Sequence, residues 1–186
     1  MWDIRQNKFI YRQTAHPEPI TALDISFDSS MIVTAAYDGY VRLWDTHKAA
    51  CIKTIVSETG STSAVSACQL TPNSQHLFIA NMNGTCGLYD LNSNLLKSYL
   101  GHSNDEYCID LCLARTNNLR GGRTILMTGS EDGMLCGWDL MSQKVILNKN
   151  MCSTPQPQRA QTQNRKSSFP LQQQQRVCYT QGSALF

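Results

Sequence analysis

A tryptophan or tyrosine followed by aspartate recurs at Trp2-Asp3, Trp44-Asp45, Tyr89-Asp90 and Trp138-Asp139, at separations of 42, 45 and 49 residues. A chain that repeats itself at such a period is built from supersecondary units packed side by side, each burying its apolar face against the next. The apolar residues ahead of each copy alternate, so the units are made of strands. Runs at residues 20–26, 31–37 and 40–45 lead up to Trp44-Asp45, and runs at 107–114, 124–130 and 134–139 lead up to Trp138-Asp139. Asp38-Gly39, Asn83-Gly84 and Asp132-Gly133 stand between the last two strands of each unit. Such dipeptides between apolar runs predict tight hairpins with positive φ at both central positions.

Roughly 40–45 residues ending on Trp-Asp is the period of a four-stranded propeller blade, and residues 1–150 resemble the WD-repeat family. The resemblance implies an all-β fold: an open arc of three four-stranded β-propeller blades at residues 15–56, 57–100 and 101–150, with residues 1–14 as the remnant of a preceding blade. In that family a histidine, a strand hydroxyl, the turn aspartate and the tryptophan form a hydrogen-bonded chain that locks the blade. Carried over, the chain is His16, Thr34, Asp38 and Trp44 in one blade and His102, Thr128, Asp132 and Trp138 in another. The middle blade has no histidine in residues 57–64 and carries Ile79, Asn83 and Tyr89 at the other places. It is therefore expected to rely on apolar packing and to be the softest unit. An unpaired buried polar group costs roughly 1–3 kcal/mol, so the closed chains are read as structural and His16 and His102 not as general bases.

With 186 residues, 41% of them hydrophobic and 16% charged, the chain is long enough to bury a core, and a net charge of +2 implies no dominant electrostatic partner. The charge is unevenly divided. Residues 151–186 hold Arg159, Arg165, Lys166 and Arg176 with no acid, giving +4 and leaving −2 on residues 1–150. That segment also carries Pro155-Gln156-Pro157-Gln158 and a glutamine run at 172–175. Its few aliphatic side chains cannot offset the ordering entropy, so a disordered, basic, Gln/Pro-rich tail is expected. Arg165-Lys166-Ser167-Ser168 within it is a candidate phosphorylation site or part of a nuclear address.

The eight cysteines include no Cys-x-x-Cys pair and no His-x-x-x-His partner, so no zinc site is expected. Cys108 and Cys112, four apart in an expected strand, share one face and read as small packed hydrophobes. No apolar run follows Trp2-Asp3-Ile4-Arg5 as in a signal peptide, and no stretch approaches the roughly 20 apolar residues of a membrane span. A reduced compartment, nucleus or cytoplasm, is the expectation. A Cys108–His102 nucleophile would lack an oxyanion loop, and Gly121-Gly122-Arg123 lacks the spacing and the Lys-Ser/Thr pair of a phosphate loop. No basic stripe is interleaved with aromatics. The chain is thus read as a protein-binding scaffold without catalytic residues, cofactor or metal, and without a nucleic-acid, membrane or small-molecule ligand.

Ala35-Ala36-Tyr37-Asp38-Gly39, Arg42-Leu43-Trp44-Asp45-Thr46, Thr71-Pro72-Asn73 and above all Gly101-His102 followed by Glu106-Tyr107-Cys108-Ile109 narrow the resemblance. They are similar to the branch of the WD-repeat family that scaffolds histone lysine methyltransferase complexes in the nucleus. In that branch a channel mouth takes an arginine side chain between two rings, beside a tyrosine-cysteine pair and serines. Tyr107 and Cys108 match the pair, Ser66 matches a serine, Thr21 stands in for another, and Asp110 falls where one ring would be. The other ring would lie before Met1. Aspartate can pair with arginine but cannot stack on it, so this pocket is expected to be impaired.

A second groove in that branch takes an acidic, hydrophobic segment of a complex partner. Asn73 and Leu88 match it, Leu113 replaces a ring, and His76 replaces a tyrosine. Each of these residues also has a plain structural reading, as strand packing or, for Asn73, as a turn residue. Trp2-Asp3-Ile4-Arg5 looks like the Trp-Asp-x-Arg motif of substrate receptors for cullin-type ubiquitin ligases, which is the alternative function. Residues 115–123 read as a loop longer than the family's. The chain starts on the third strand of a blade and completes three blades where the resembled scaffold closes seven, so an incomplete gene product, a splice form or a non-functional fragment of a longer propeller is a further expectation.

Overall fold

A computed structural model describes residues 1–56, 63–116 and 122–150 of the chain. The expected tail at 151–186 lies outside the described residues. Among the described residues there are fourteen strands and no helix, hence none long and apolar enough to cross a membrane. Strands β1 (Trp2–Asp3) and β2 (Lys8–Phe9) form a two-stranded sheet. The first four-stranded sheet is β3 (Ile20–Ile25), β4 (Met31–Ala36), β5 (Tyr40–Asp45) and β6 (Ala50–Val56). The second is β7 (Val65–Leu70), β8 (His76–Asn81), β9 (Thr85–Asp90) and β10 (Leu95–Leu100). The third is β11 (Leu111–Thr116), β12 (Arg123–Gly129), β13 (Met134–Asp139) and β14 (Val145–Asn150). In each the strands pair with their sequence neighbours and antiparallel throughout, the pattern short connections impose.

The hairpin turns differ from the expected geometry. Only the glycines adopt positive φ, at 77° for Gly39, 70° for Gly84 and 80° for Gly133, whereas Asp38, Asn83 and Asp132 do not. Gly39 N–H donates to the Ala36 carbonyl, so residues 36–39 form a turn followed by a left-handed glycine, the three-residue type of hairpin loop. The carboxylate or amide oxygen ahead of the glycine then accepts the next strand's first N–H, from Tyr40, Thr85 and Met134 at 3.0, 3.1 and 3.0 Å. That side-chain cap, rather than a second positive φ, explains the recurring Asp/Asn-Gly.

The aspartate of each aromatic-Asp pair has a matching task. Asp45 Oδ1 accepts N–H groups of His47 and Lys48, Asp90 Oδ1 those of Asn92 and Asn94, and Asp139 Oδ1 those of Met141 and Ser142. Asp3 does the same for Arg5 and Gln6 in the short hairpin. The three turns between third and fourth strands, and the β1–β2 turn, are each closed by the same kind of carboxylate. These hydrogen bonds hold Asp45, Asp90 and Asp139 below the usual carboxylate range.

Two apolar clusters join the sheets. Val33, Ala35, Val41 and Leu43 of the first sheet pack against Cys68, Leu77, Ile79 and Tyr89 of the second. Phe78, Ala80, Cys86 and Leu88 of the second pack against Leu111, Leu126 and Trp138 of the third. The middle sheet is thus covered on both faces and is the most deeply buried, in line with the apolar packing expected of it. Ile79 and Tyr89 are both buried in this packing.

The third sheet departs from the expected strand at 107–114, because β11 starts only at Leu111. The reason is a neighbouring carboxylate. Glu131 Oε1 accepts the N–H groups of Asp105, Glu106 and Tyr107 at 2.9, 2.7 and 2.8 Å, which bends this stretch away from a ladder. Cys108 therefore lies outside the strand, and Cys108 and Cys112 are both exposed rather than packed together. At its other end β11 runs further than expected: Arg115 and Thr116, assigned to a loop by sequence, pair with Thr124 and Arg123.

Candidate protein-binding surfaces

The first sheet is locked by a chain of four side chains. His16 Nδ1 lies 2.9 Å from Asp38 Oδ2, His16 Nε2 lies 2.8 Å from Thr34 Oγ1, and Trp44 Nε1 donates to the same hydroxyl at 2.9 Å. A carboxylate only accepts and an indole N–H only donates, so Nδ1 donates to Asp38 and Trp44 to Thr34; in the neutral imidazole Nε2 then accepts the Thr34 hydroxyl. Each polar atom is satisfied in a direction its neighbours dictate.

The equivalent chain of the third sheet does not form. Trp138 Nε1 donates to the Leu100 carbonyl at 3.1 Å, and Thr128 Oγ1 donates to the Asp110 carbonyl at 3.1 Å. His102 Nε2 faces Cys86 Sγ at 3.7 Å, and its buried Nδ1 has no hydrogen-bond partner among the described residues. Burial pushes the His102 imidazole below its ordinary range, opposed by the Asp132 carboxylate. Asp132 itself is exposed and is held low by the Ser130 hydroxyl and the Met134 N–H. Thr128 pairs with Leu111, the first residue of β11, so the carbonyl of Asp110 just outside the ladder captures its hydroxyl.

Where the first strands β3, β7 and β11 adjoin, the residues assigned to a channel mouth divide into two groups. Thr21 and Ser66 sit at register shifts in β3 and β7, where a bulged residue leaves the ladder. Thr21 Oγ1 donates to the Val65 carbonyl at 2.6 Å, and Ser66 Oγ lies 2.8 Å from the Ile109 carbonyl and 2.7 Å from its N–H. Both hydroxyls are thus committed to stapling one sheet to the next. Tyr107, 66% exposed, Cys108 and Asp110 remain at the surface, held by the Glu131 clasp just before β11. The fold adds Tyr37, exposed at the β4–β5 turn, whose hydroxyl lies 3.2 Å from Cys108 Sγ. That contact raises the Tyr37 phenol above its usual range. Sequence reasoning missed Tyr37 and Glu131 because both act across sheets, where spacing along the chain carries no signal.

The four groove residues come together. Asn73, His76, Leu88 and Leu113 line one groove of about 430 Å³, with Lys97 and Arg115 as its cationic side chains. Among the described residues no carboxylate lines it. Pro72, Leu140 and Met141 add apolar surface. Lys97 Nζ donates to the carbonyls of Leu140 and Met141 at 2.9 and 3.1 Å, bridging the second and third sheets. Asn73 is also spent on its turn, its Oδ1 accepting from the Thr71 hydroxyl and the Gln75 N–H. Lys97 and Arg115 were not singled out by sequence, since lone basic residues in strands carry no motif. Among the described residues no three His, Cys, Asp or Glu side chains gather as metal ligands.

Comparison with known proteins gives a family and several relatives. The WD40 family, described as WD domain, G-beta repeat, matches residues 7–45, 50–90 and 93–139. Autophagy-related protein 16 of Arabidopsis thaliana is 31% identical over 134 residues, covering 71% of this chain and 24% of that protein. An uncharacterized WD repeat-containing protein of Schizosaccharomyces pombe is 27% identical, over 74% of this chain and 42% of its own length. The COMPASS component SWD3 of Saccharomyces cerevisiae is 23% identical, over 76% of this chain and 40% of its own length. The chain spans less than half the length of these relatives.

Proposed function

The chain belongs to the WD40 repeat family, and from that premise we propose that it is a non-catalytic scaffold binding an acidic, hydrophobic peptide segment in the groove between its second and third sheets. The observation that carries this reading is the lining of that groove: an apolar floor of Leu88, Leu113 and Leu140 beside Lys97 and Arg115, with no acid among the described lining residues to repel a carboxylate. Such a surface favours a segment whose aliphatic side chains are buried while its acids meet the cationic rim. The sequence resemblance to WD repeat-containing protein 5 and the similarity to a COMPASS component support placing it with histone lysine methyltransferase complexes, in the nucleus.

The ligase-receptor alternative rests on Trp2-Asp3-Ile4-Arg5. Asp3 there accepts from Arg5 and Gln6 N–H groups, the same turn-closing task as Asp45 and Asp139, so the motif already has a structural use. Titration of an acidic-aliphatic peptide, followed by calorimetry, tests the groove. Binding is expected to weaken roughly tenfold in Arg115→Glu and to fall with added salt. An affinity indifferent to both the substitution and the salt would remove the groove from consideration. Affinity capture from a lysate separates the two complexes: methyltransferase subunits support this reading, and ligase adaptor subunits support the alternative.

A further inference from the structure

The groove between the second and third sheets is walled on one side by the β7–β8 turn, through Thr71, Pro72 and Asn73. Phe27 N–H, in the β3–β4 turn of the first sheet, donates to Ser74 Oγ at 3.3 Å, so the two turns meet and Phe27 lies just beyond that wall. The turns are built alike. Ser26 and Thr71 donate their N–H groups to the carbonyls of Met31 and His76, and Ser29 and Ser74 both adopt positive φ, at 59° and 55°. Phe27 therefore takes the place of Pro72, and Asp28 that of Asn73. Pro72 and Asn73 are exposed although the second sheet is covered on both faces, so exposure belongs to these turn positions and does not depend on a neighbouring sheet.

Two groups of the β3–β4 turn are not needed to hold it. The Phe27 ring is 91% exposed, more than any other aromatic ring among the described residues. Asp28 Oδ1 accepts from the Ser26 and Ser30 hydroxyls and the Ser30 N–H, which sets the turn, whereas Oδ2 only shares the Ser30 hydroxyl. These bonds pull the Asp28 carboxyl down to about 2, and among the described residues no cation pairs with it. An apolar side chain laid on the ring would leave that charge beside it without a partner. A lysine or arginine meets both groups, its cation on the ring face and against the carboxylate.

The two sides of the wall are thus opposite in charge, with Lys97 and Arg115 in the groove and Asp28 beyond it. A four-residue turn is under about 7 Å across, and an extended chain rising roughly 3.3 Å per residue spans it in two or three residues. We propose that Phe27 and Asp28 continue the groove into a two-part site, whose peptide carries a lysine or arginine two or three residues beyond its acidic, aliphatic core. This rests on the reading of the groove given above, and it makes the site directional, because the cation can follow the core on one side only.

Calorimetry with two synthetic peptides on the full 186-residue chain tests this. Both share one acidic-aliphatic core, and about three residues beyond it one carries lysine and the other norleucine, which keeps an aliphatic stem without the charge. The lysine is placed in turn on either side of the core, and one side alone is expected to gain. There the lysine peptide should bind the wild type roughly three- to tenfold more tightly than the norleucine peptide. Phe27→Leu and Asp28→Asn should each shrink that ratio and together abolish it, while the norleucine peptide keeps its wild-type affinity and so reports a folded groove. If Asp28→Asn loses that control, Phe27→Leu decides alone. Equal binding of the two peptides by the wild type, or a ratio that survives Phe27→Leu unchanged, overturns the two-part site. The groove then still stands if Arg115→Glu weakens binding of the norleucine peptide. Loss of that dependence on Arg115, or no binding of either peptide, overturns the groove reading and this one with it.

Discussion

In the first sheet the Thr34 hydroxyl lies between His16 Nε2 and Trp44 Nε1, and in the third the Thr128 hydroxyl turns instead to the Asp110 carbonyl. The four residue types and their order are the same in both sheets. What differs is the strand beside the threonine. Leu23, opposite Thr34, lies inside β3 with paired residues on both sides, so no loose carbonyl competes for the hydroxyl. Leu111, opposite Thr128, is the first residue of β11, and the Glu131 clasp keeps the residues before it out of the ladder. A hydrogen-bonded lock thus depends on its four members and also on whether neighbouring backbone groups are already satisfied.

Thr→Val substitutions at the two positions test this contrast most directly, since the shape is nearly kept and the hydroxyl removed. Thr34→Val leaves Trp44 Nε1 and His16 Nε2 buried without their shared partner, and is expected to cost about 2–3 kcal/mol in urea unfolding. Thr128→Val loses a bond to a backbone carbonyl beside the edge of the ladder, and is expected to cost about 1 kcal/mol or less. Equal losses would mean that the two locks are equivalent in solution.

The sequence carries the repeat, the strand order and the first sheet's lock, because all three are written in local alternation and fixed spacings. The groove was legible through Asn73, His76, Leu88 and Leu113, yet Lys97 and Arg115 come to it from β10 and β11, and nothing in either strand announces them. The third lock was misread for a similar reason. Spacing places His102, Thr128, Asp132 and Trp138 correctly along the chain, but Glu131 decides where β11 begins, and it does so through three N–H groups 24 to 26 residues away. The family resemblance marks Thr21 and Ser66 as channel hydroxyls, whereas a register shift sends each to the backbone of the next sheet.

A smaller effect asks whether the irregular stretch before β11 can serve a ligand. Tyr37, Tyr107 and Cys108 are exposed there, but position 110 offers a carboxylate and no ring. An arginine-bearing peptide is expected to bind the wild type weakly and Asp110→Phe about 2- to 30-fold more tightly, the range that one desolvated cation–π contact supplies. Fluorescence titration would show it. Unchanged affinity would detach Tyr107 and Cys108 from any arginine site, while tight binding by the wild type would mean that stacking at position 110 is dispensable.

The smallest expected effect concerns the clasp itself. Three N–H groups, from Tyr107, Glu106 and Asp105, hold the Glu131 carboxyl below its ordinary range, so the folded chain binds that proton less readily than the unfolded one. The clasp is therefore complete above the ordinary glutamate value of 4.5 and is lost as pH falls through the lower folded value. Glu131→Gln keeps one acceptor oxygen but removes the charge. It should speed amide exchange at residues 105–107 several-fold at neutral pH and leave exchange in β7 and β8 unchanged. In the wild type the same three amides should become faster, relative to those of β8, as pH falls through the folded value, which lies below 4.5. If instead the variant loosens the first and third sheets alike, Glu131 acts on global stability, and the difference between the two locks needs another cause.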